Sequence, residues 1–267
     1  MNSLELLTAE REKAIADYLA HSHKRSYYDE QKDEKIKHIY YQNSSFEREG
    51  ISHLLEKTHQ NKLFYSPHLY VYPWVDIHEN HKLKSIYSGK GMDPLVAIEE
   101  DIQILKNVAS GNMTSLTTEN MLNCEHVVPQ SWFDKQEPMR GDLHHLFACE
   151  PACNSCRGNY PYYDFLDYVP ESHTLGISEG CGKLEEGKFE PEYGKGIVAR
   201  ATMYFITRYP NIINRNFVNL QLLIAWHQLF PVSLYEKHRN LAIYELQGNR
   251  NPFVDFPHIA EKTWFIE

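Results

Sequence analysis

The feature that most constrains the fold is a pair of strand-like segments and a short helix within residues 121–160. The segments "MLNCEHVVP" and "DLHHLFACE" have the length and the composition of β-strands. A loop that contains Pro138 and Gly141 separates them, and Glu150 followed by Pro151 is a typical helix start. The order strand, loop, strand, helix predicts a small α+β core.

The rest of the chain predicts helices around that core. Residues 1–60 have the charged, amphipathic pattern of a helical packing layer, and residues 195–267 form a second helical part. The chain has 267 residues, 42% of them hydrophobic, and it carries no internal repeat and no low-complexity linker. We therefore predict one largely helical domain that spans residues 1–267, with the α+β core embedded in it.

Two helices have clear capping signals. Asp93 followed by Pro94 places a cap residue before a proline in the first helical position. Near the C-terminus, Ser233 with Glu236 three residues later is a capping box, and Gly248 is a typical residue after a helix end. These signals predict one helix before the α+β core and one long helix after it.

The charge and the hydropathy of the chain limit its partners. A net charge of −9 excludes a protein that binds polyanions over its whole surface, so a nucleic-acid contact would need a local basic patch or a bound cation. No apolar stretch approaches the length of a membrane span, and "MNSLELLTAEREK" lacks the pattern of a secretory signal. The sequence as it stands predicts a cytoplasmic protein without membrane contact. A removed leader or leaderless export would make it an exported one.

An acid and an imidazole stand side by side at Glu125 and His126, which a regular strand would point to opposite faces. Pro129 cannot donate to the hydrogen-bond ladder, so we expect the pleat to relax there and both side chains to reach one phosphate. On the following helix, Asn154 and Arg157 are three residues apart and share a face. If this helix crosses the hairpin, the Asn154 amide oxygen approaches the Glu125 carboxylate, and hard oxygen ligands suit Mg²⁺.

Four segments, in this order, carry a family resemblance: "CEHVVPQSWF", "GDLHHLFACEPACNSCRGN", "GIVARATMYFITRYP" and "WHQLFPVSLYEKHRNLAIYELQGNRNPFVDFP". Together they resemble the endonuclease I family of nonspecific nucleases, which use a ββα-metal (His-Me finger) site. The similarity runs from roughly Leu69 to the C-terminus and is weaker over the first sixty residues. It implies a ββα-metal core within residues 121–160.

The resemblance also implies roles for individual residues. His126 is expected to be the general base, and Glu125 and Asn154 are expected to bind the catalytic divalent metal. That metal is expected to be Mg²⁺, with Mn²⁺ or Ca²⁺ as alternatives. An arginine is expected near the phosphate, with Arg157 as the first candidate. The loop between the strands is shorter than the basic insert of periplasmic members, which makes Arg140 a second candidate.

Other polar residues near the core allow a supporting and a structural interpretation. His144 and His145 follow Asp142 in the second strand and face opposite ways, so one of the two is interpreted as a core histidine. Asn159 either orients the loop that holds His126 or ends the short helix. A polar cluster near the C-terminus is interpreted as scaffold first and DNA contact second: Gln247, Asn249, Arg250 and Asn251.

The cysteines suggest other kinds of site. Cys149, Cys153 and Cys156 spell C-x3-C-x2-C, the spacing of the iron–sulfur loop of radical S-adenosylmethionine enzymes. Against that reading, Ser155 stands where that family usually has an aromatic residue, and no strand–helix barrel pattern surrounds the motif. With Cys181, the same cysteines would form a four-thiolate structural Zn²⁺ site. Because no secretory signal is visible, reduced or zinc-bound thiols are favoured slightly over disulfides.

These observations together predict a metal-dependent, largely sequence-nonspecific endonuclease that hydrolyses phosphodiester bonds of DNA, with RNA as a second substrate. A histidine base and one divalent metal would carry the reaction. The alternatives are an iron–sulfur enzyme and a non-catalytic, zinc-stabilised interaction module. The sequence leaves open the preference between DNA and RNA, the chemistry of the product ends and the oligomeric state.

Overall fold

The computed structural model describes residues 3–112, 121–170 and 180–265. Within these ranges the fold is α+β and mostly helical, with three two-stranded antiparallel sheets. The α-helices are α1 Ser3–Lys24, α2 Glu30–Tyr41, α3 Arg48–Thr58, α4 Pro67–Tyr70, α5 Pro94–Ala109, α6 Pro151–Arg157, α7 Lys195–Arg208, α8 Leu220–Leu229, α9 Leu234–Gln247 and α10 Pro252–Asp255. The strands are β1 Leu83–Lys84, β2 Gly91–Met92, β3 Asn123–His126, β4 Leu146–Cys149, β5 Gly182–Glu185 and β6 Lys188–Pro191.

The hairpin of β3 and β4, followed by α6, has the predicted order of strand, loop, strand and helix. In its antiparallel register Glu125 lies opposite Phe147 and His126 lies opposite Leu146. Helix α6 packs against β3. The second strand begins later than predicted. The Asp142 carboxylate accepts a hydrogen bond from the backbone N–H of His144 and caps a 3-10 turn, so both histidines precede the strand.

The pleat of β3 does not relax at its end, in contrast to the prediction. The backbone N–H of Val127 donates to the carbonyl of His145 at 3.0 Å, so the ladder continues past His126. Pro129 lies beyond this last bond, and its missing N–H therefore removes no ladder partner. Glu125 and His126 accordingly leave the strand on different sides and have different neighbours.

The hairpin lies between two hydrophobic clusters. Val127 and Phe147 belong to a cluster that includes much of α7 and α8, whereas Leu146 and Ala148 belong to a second cluster with residues of α1, α5 and a π-helical turn at Val71–Val75. All the residues of α7 are buried. The hairpin is thus covered on both faces, which explains why β4 is buried along its whole length.

The predicted helix caps are confirmed. The Asp93 carboxylate accepts from the backbone N–H groups of Leu95 and Val96 at the start of α5. At the start of α9, Ser233 and Glu236 form the reciprocal bonds of a capping box, and the helix ends at a left-handed Gly248. None of the described helices is long and apolar enough to cross a membrane.

Candidate active site

His126 ends β3, and a backbone carbonyl fixes its orientation. Its side chain is 5% exposed, and its Nε2 lies 2.9 Å from the carbonyl oxygen of Arg140. A carbonyl oxygen only accepts hydrogen bonds, so Nε2 carries the proton and the Nδ1 lone pair is left for chemistry. The Tyr65 ring stacks on the imidazole with 5.1 Å between centroids, which restricts rotation of the ring.

Burial keeps the His126 imidazole neutral. Desolvation, and secondarily the neighbouring His145, lowers the pKa of His126 to about 3. The neutral imidazole is the form that accepts a proton. At neutral pH the free protein therefore holds His126 in the state that a general base requires.

The Glu125 carboxylate is also buried, at 4% exposure, and it has two neighbours of its own. The hydroxyl of Tyr87 donates to its Oε1 at 2.6 Å, and the Nε of Arg157 lies 4.0 Å from the same oxygen. Burial raises the pKa of Glu125 to about 7, although Arg157 and the Tyr87 hydroxyl act in the opposite direction. A bound cation would favour the ionised form of this carboxyl.

Asn154 lies on α6, the helix that packs against β3. It is half-buried, and its side-chain amide makes no hydrogen bond to the described part of the chain. Glu125 and Asn154 together offer one carboxylate and one amide oxygen, which are donors that suit Mg²⁺ with water in the remaining positions. Among the described residues there is no group of three or more His, Cys, Asp or Glu side chains that could hold a metal.

The two arginines that the sequence offers for the phosphate differ in environment. Arg157 is fully buried, and its guanidinium carbon lies 4.4 Å from the centroid of the Tyr162 ring. Arg140 is partly exposed. Its Nε donates to Gln130 at 3.2 Å, its guanidinium lies over the Tyr65 ring at 5.2 Å, and it forms no ion pair with the described residues. Arg140 is thus the cation that remains available beside His126.

The predicted supporting residues fall into two groups. Asp142 is fully buried and accepts hydrogen bonds from the hydroxyls of Tyr204 at 2.8 Å and Tyr209 at 2.9 Å. His144 is buried, with its ring 4.3 Å from that of Tyr204. Both are buried residues of the segment that connects β3 to β4. Asn159 is exposed after α6, and its supporting role stays a prediction.

The C-terminal polar cluster has the scaffold role that was its first interpretation. The Gln247 amide donates to Asp142 at 3.0 Å and to the side chain of Asn249 at 3.0 Å. Arg250 pairs with Asp255 at 2.7 Å. The whole cluster is buried, so these groups stabilise the fold and are not available to DNA.

Sequence reasoning did not find the tyrosines of the site. Tyr65 contacts His126, whereas Tyr87 and Tyr162 hydrogen-bond to each other at 2.8 Å beside Glu125. Nothing in the local sequence separates them from the other tyrosines of a chain that has 18. Their importance comes from contacts between segments far apart in the chain.

The cysteine predictions need correction. Cys153 and Cys181 form a disulfide with a Cα–Cα distance of 5.0 Å, while Cys149 and Cys156 are free. Two of the four proposed thiolate ligands are therefore consumed, and the four-thiolate zinc site is not formed. The C-x3-C-x2-C iron–sulfur set loses Cys153 for the same reason. Cys181 lies close enough to α6 in the fold to pair with it, a proximity that the spacing of the motif did not reveal.

Comparison with known proteins identifies similar nucleases. An extracellular deoxyribonuclease of Aeromonas hydrophila is 31% identical over 157 residues, which cover 51% of this chain and 66% of that protein. An extracellular ribonuclease of Bacillus amyloliquefaciens is 33% identical over 141 residues, 46% of each chain. A periplasmic deoxyribonuclease of Aeromonas hydrophila is 31% identical over 119 residues, 44% of this chain and 48% of that protein.

These matched regions span between 46% and 66% of the relatives' own lengths, so the similarity covers part of each relative. The model of the Endonuclease I family matches residues 48–258, from the start of α3 to the turn after α10. This range includes β3, β4 and α6 with Glu125, His126 and Asn154. The chain belongs to the Endonuclease I family.

Proposed function

We propose that this chain is a divalent-metal-dependent endonuclease that hydrolyses phosphodiester bonds of DNA and RNA with little sequence selectivity. The observation that carries the proposal is the His126 imidazole beside the buried Glu125 carboxylate. Its Nε2 is hydrogen-bonded to the Arg140 carbonyl, while its Nδ1 has no hydrogen-bond partner among the described residues. Similar proteins are named deoxyribonuclease or ribonuclease, which supports both substrates. The ββα-metal core is proposed for β3, β4 and α6.

His126 acts as the general base in this mechanism. Nδ1 takes a proton from the water molecule that attacks phosphorus, while Nε2 keeps its hydrogen bond to the Arg140 carbonyl. Burial alone would make the imidazole a weak base. The negative charge of a bound phosphate stabilises the imidazolium and raises its pKa, which offsets that effect when substrate is present.

Glu125 and Asn154 would hold the divalent cation. When bound, such a cation neutralises charge on the phosphate oxygens. To bind the cation, the Glu125 carboxylate has to be ionised and correctly oriented. The Tyr87 hydroxyl, which donates to it at 2.6 Å, fixes the orientation. Because Glu125 and His126 leave β3 on different sides, one phosphate would have to reach the cation and the base around the end of this strand, which is at His126.

Arg140 is the residue we assign to the phosphate. It is partly exposed and lacks a carboxylate partner among the described residues, and its own carbonyl orients His126. Arg157 is assigned a different role, because its guanidinium is fully buried at 4.0 Å from Glu125 and balances that carboxylate. An Arg140→Lys change would keep the charge but lose the planar fork that binds two phosphate oxygens.

Export is the location we propose, in place of the cytoplasmic one predicted from the sequence alone. The disulfide between Cys153 and Cys181 persists in oxidising compartments and is rare in the cytosol. Similar proteins are named extracellular or periplasmic. Disulfide formation and export are thus consistent with each other.

The decisive experiment compares His126→Ala with a matched change of an exposed histidine, His53→Ala. We expect His126→Ala to lower the rate of plasmid and RNA cleavage by on the order of 10²- to 10⁴-fold, because it removes the base and spares the two proposed ligands. His53→Ala, on the exposed side of α3, should cleave at the wild-type rate. Near wild-type cleavage by folded His126→Ala would refute the mechanism.

A metal titration distinguishes variants of the proposed metal ligands from the variant of the proposed base. We expect Glu125→Gln and Asn154→Ala to raise the Mg²⁺ concentration needed for half-maximal cleavage and to weaken Mn²⁺ binding measured by calorimetry. Glu56→Gln, an exposed position in α3, is the control for loss of a carboxylate. Unchanged Mn²⁺ binding by Glu125→Gln would show that the cation lies elsewhere.

A further inference from the structure

A cleft of about 450 Å³ opens beside the candidate active site. Helix α1 supplies Leu7, Glu10 and Arg11 to one wall, and the segment before α4 supplies Phe64 and Tyr65. Its volume lies within the range of about 300–1,000 Å³ that is usual for small-molecule sites. The family match begins at residue 48, so the α1 wall is a feature of this chain beyond the matched region.

The cleft is continuous with the site through Tyr65. One ring contact of Tyr65 is to His126, at 5.1 Å between centroids. The Arg140 guanidinium also lies over the Tyr65 ring, at 5.2 Å. Asn123, in the same strand as His126, lines the cleft as well. A group bound in the cleft would therefore be the neighbour of a phosphate held at His126 and Arg140.

The lining combines aromatic rings with an unsatisfied hydroxyl. Phe64 is 56% exposed, and its ring meets that of Tyr70 at 5.5 Å between centroids. The Tyr72 side chain is fully buried, and its hydroxyl has no hydrogen-bond partner within the described residues. Buried hydroxyls are normally paired, so this one points to a missing partner. A flat ligand with polar edges matches both features.

The charges of the cleft disfavour a phosphate as that ligand. Among the described residues that line it, Arg11 is the one arginine or lysine. Its Nε lies 3.6 Å from Asp101, a buried carboxylate that also bonds His68 at 2.9 Å. Glu10 adds a negative charge at the wall. An anionic group would find no available cation here, whereas a neutral base meets no such penalty.

We infer that this cleft binds one unpaired nucleobase, adjacent to the phosphate that is cleaved. The inference rests on the proposed nuclease function and names its preferred substrate as nucleic acid with unpaired bases. Aromatic side chains bind exposed bases by stacking, with little sequence preference. A base inside a duplex must first leave its stack and its pair, so single-stranded regions would fill the cleft more readily.

The first test measures binding without cleavage. Full-length His126→Ala protein is titrated with a thymidine tetranucleotide and with the same backbone carrying abasic sugars. We expect adding Phe64→Ala to weaken binding of the base-bearing tetranucleotide about tenfold, since stacking on one ring is lost. Binding of the abasic tetranucleotide should not change. Phe46→Ala, at 42% exposure in another part of the fold, should change neither affinity.

Tyr72→Phe tests the hydroxyl alone and keeps the ring that packs in the core. We expect about threefold weaker binding of the base-bearing tetranucleotide, the loss of one neutral hydrogen bond. If Phe64→Ala weakens the base-bearing and the abasic ligand equally, or weakens neither, the cleft does not hold a base. Unaltered binding by Tyr72→Phe would remove the hydroxyl from the inference.

The second test compares cleavage of a single strand with cleavage of its duplex. In otherwise wild-type protein, Phe64→Ala should lower kcat/KM about tenfold on the single strand and less than about twofold on the duplex. Equal losses on both substrates would overturn the base cleft. Wild-type protein that cleaves neither substrate would overturn the nuclease proposal, and the binding test would still decide whether a base occupies the cleft.

Discussion

At the scale of single residues, Glu125 and His126 are neighbours in one strand and respond to burial in opposite ways. Desolvation raises the pKa of the carboxyl to about 7 and lowers the pKa of the imidazole to about 3. Each shift favours the neutral form. At neutral pH the His126 imidazole is therefore neutral and the Glu125 carboxyl is about half protonated. In the proposed mechanism, a bound cation would favour the carboxylate and a bound phosphate would favour the imidazolium.

A change at Tyr87 tests how Glu125 is tuned. The Tyr87 hydroxyl lowers the pKa of Glu125 by hydrogen bonding to its carboxylate. Tyr87→Phe should raise that pKa further, so cleavage at a fixed, subsaturating Mg²⁺ concentration should fall at a higher pH than in the wild type. The check is a pH–rate profile, with Tyr160→Phe at a partly exposed position as control. If the acid limb of the Tyr87→Phe profile lies at the wild-type pH, Tyr87 does not tune the proposed metal ligand Glu125.

The residues of the candidate site that could be predicted are those that leave a pattern in their own stretch of sequence. Adjacency in the sequence marked Glu125 and His126, and a proline-started helix marked Asn154. Tyr65 is 61 positions from His126 (126 − 65) and leaves no local pattern, although its ring lies on the imidazole. The environment of Arg157 was equally hidden, because burial depends on the whole fold.

At the scale of elements, α6 carries both a proposed metal ligand and a cysteine of the disulfide. Asn154 is followed along the same short helix by Arg157, and the preceding Cys153 is bonded to Cys181 just before β5. A helix of this length is marginal by itself. Its position against β3 consequently depends on the disulfide and on packing.

Removing the disulfide should lower stability substantially. The bond joins residues 28 positions apart, and constraining a loop of that length in the unfolded chain stabilises the fold by about 3–4 kcal/mol in the chain-entropy model. We expect a double change, Cys153→Ala with Cys181→Ala, to lower the free energy of unfolding by up to this amount in urea titrations. Cys156→Ser removes a free, half-buried thiol and should cost clearly less. Equal losses would contradict the assignment of the disulfide pair.

The capping box of α9 offers a second test at this scale. Ser233→Ala removes the side chain that accepts from the backbone N–H of Glu236, while the Glu236 carboxylate keeps its bonds to Arg200. The expected loss is about 1 kcal/mol of unfolding free energy. Urea denaturation of Ser233→Ala beside Ser233→Thr measures it, because threonine preserves the hydroxyl. Equal destabilisation by both variants would argue against a capping effect.

Element boundaries were predictable where a cap residue decided them and less so elsewhere. Asp93 and Ser233 start α5 and α9 as predicted. The predicted start of β4 was wrong because the Asp142 carboxylate caps a 3-10 turn that contains the next three residues. The same carboxylate accepts hydrogen bonds from two tyrosine hydroxyls. Composition alone predicts a strand for those residues.

At the scale of the whole molecule, the proposed function requires an acidic chain to bind a polyanion. With a net charge of −9, affinity for nucleic acid has to come from local contacts to the backbone at the site. We expect cleavage of a random-sequence duplex to weaken as salt rises and to show little sequence preference. Mapping of the cut positions checks this, and a reproducible set of discrete cuts would contradict it.

The buried histidines predict instability in acid. Burial lowers the pKa of His78 to about 3 and the pKa of His144 to about 4. The unfolded chain takes up these protons below about pH 6.5, but the folded chain does not. The stability they provide is therefore complete above about pH 6.5 and is lost as the pH falls toward about 4. Each of these histidines changes the free energy of unfolding by up to about 1.4 kcal/mol per pH unit.

Two other groups act in opposite directions over that range. His126, with its pKa lowered to about 3, adds to the loss, whereas Glu125, with its pKa raised to about 7, gains stability as the pH falls from about 7 to 4.5. Their effects nearly cancel without metal. The measurement is the urea midpoint between pH 7.5 and 4.5 in chelator, for wild type and His78→Gln. Two results would contradict the lowered pKa of His78: a wild-type urea midpoint that does not change with pH, or a His78→Gln midpoint that falls as steeply as the wild-type one.

The position of the β3–β4 hairpin between two hydrophobic clusters also affects how activity fails on heating. Sites on surface loops often melt before the rest of the protein, so their enzymes lose activity in a molecule that still looks folded. Here the Glu125 and His126 backbone can be released only when both clusters open. Residual activity after heating would then report the fraction of intact molecules, and the inactivation curve would overlay the calorimetric transition.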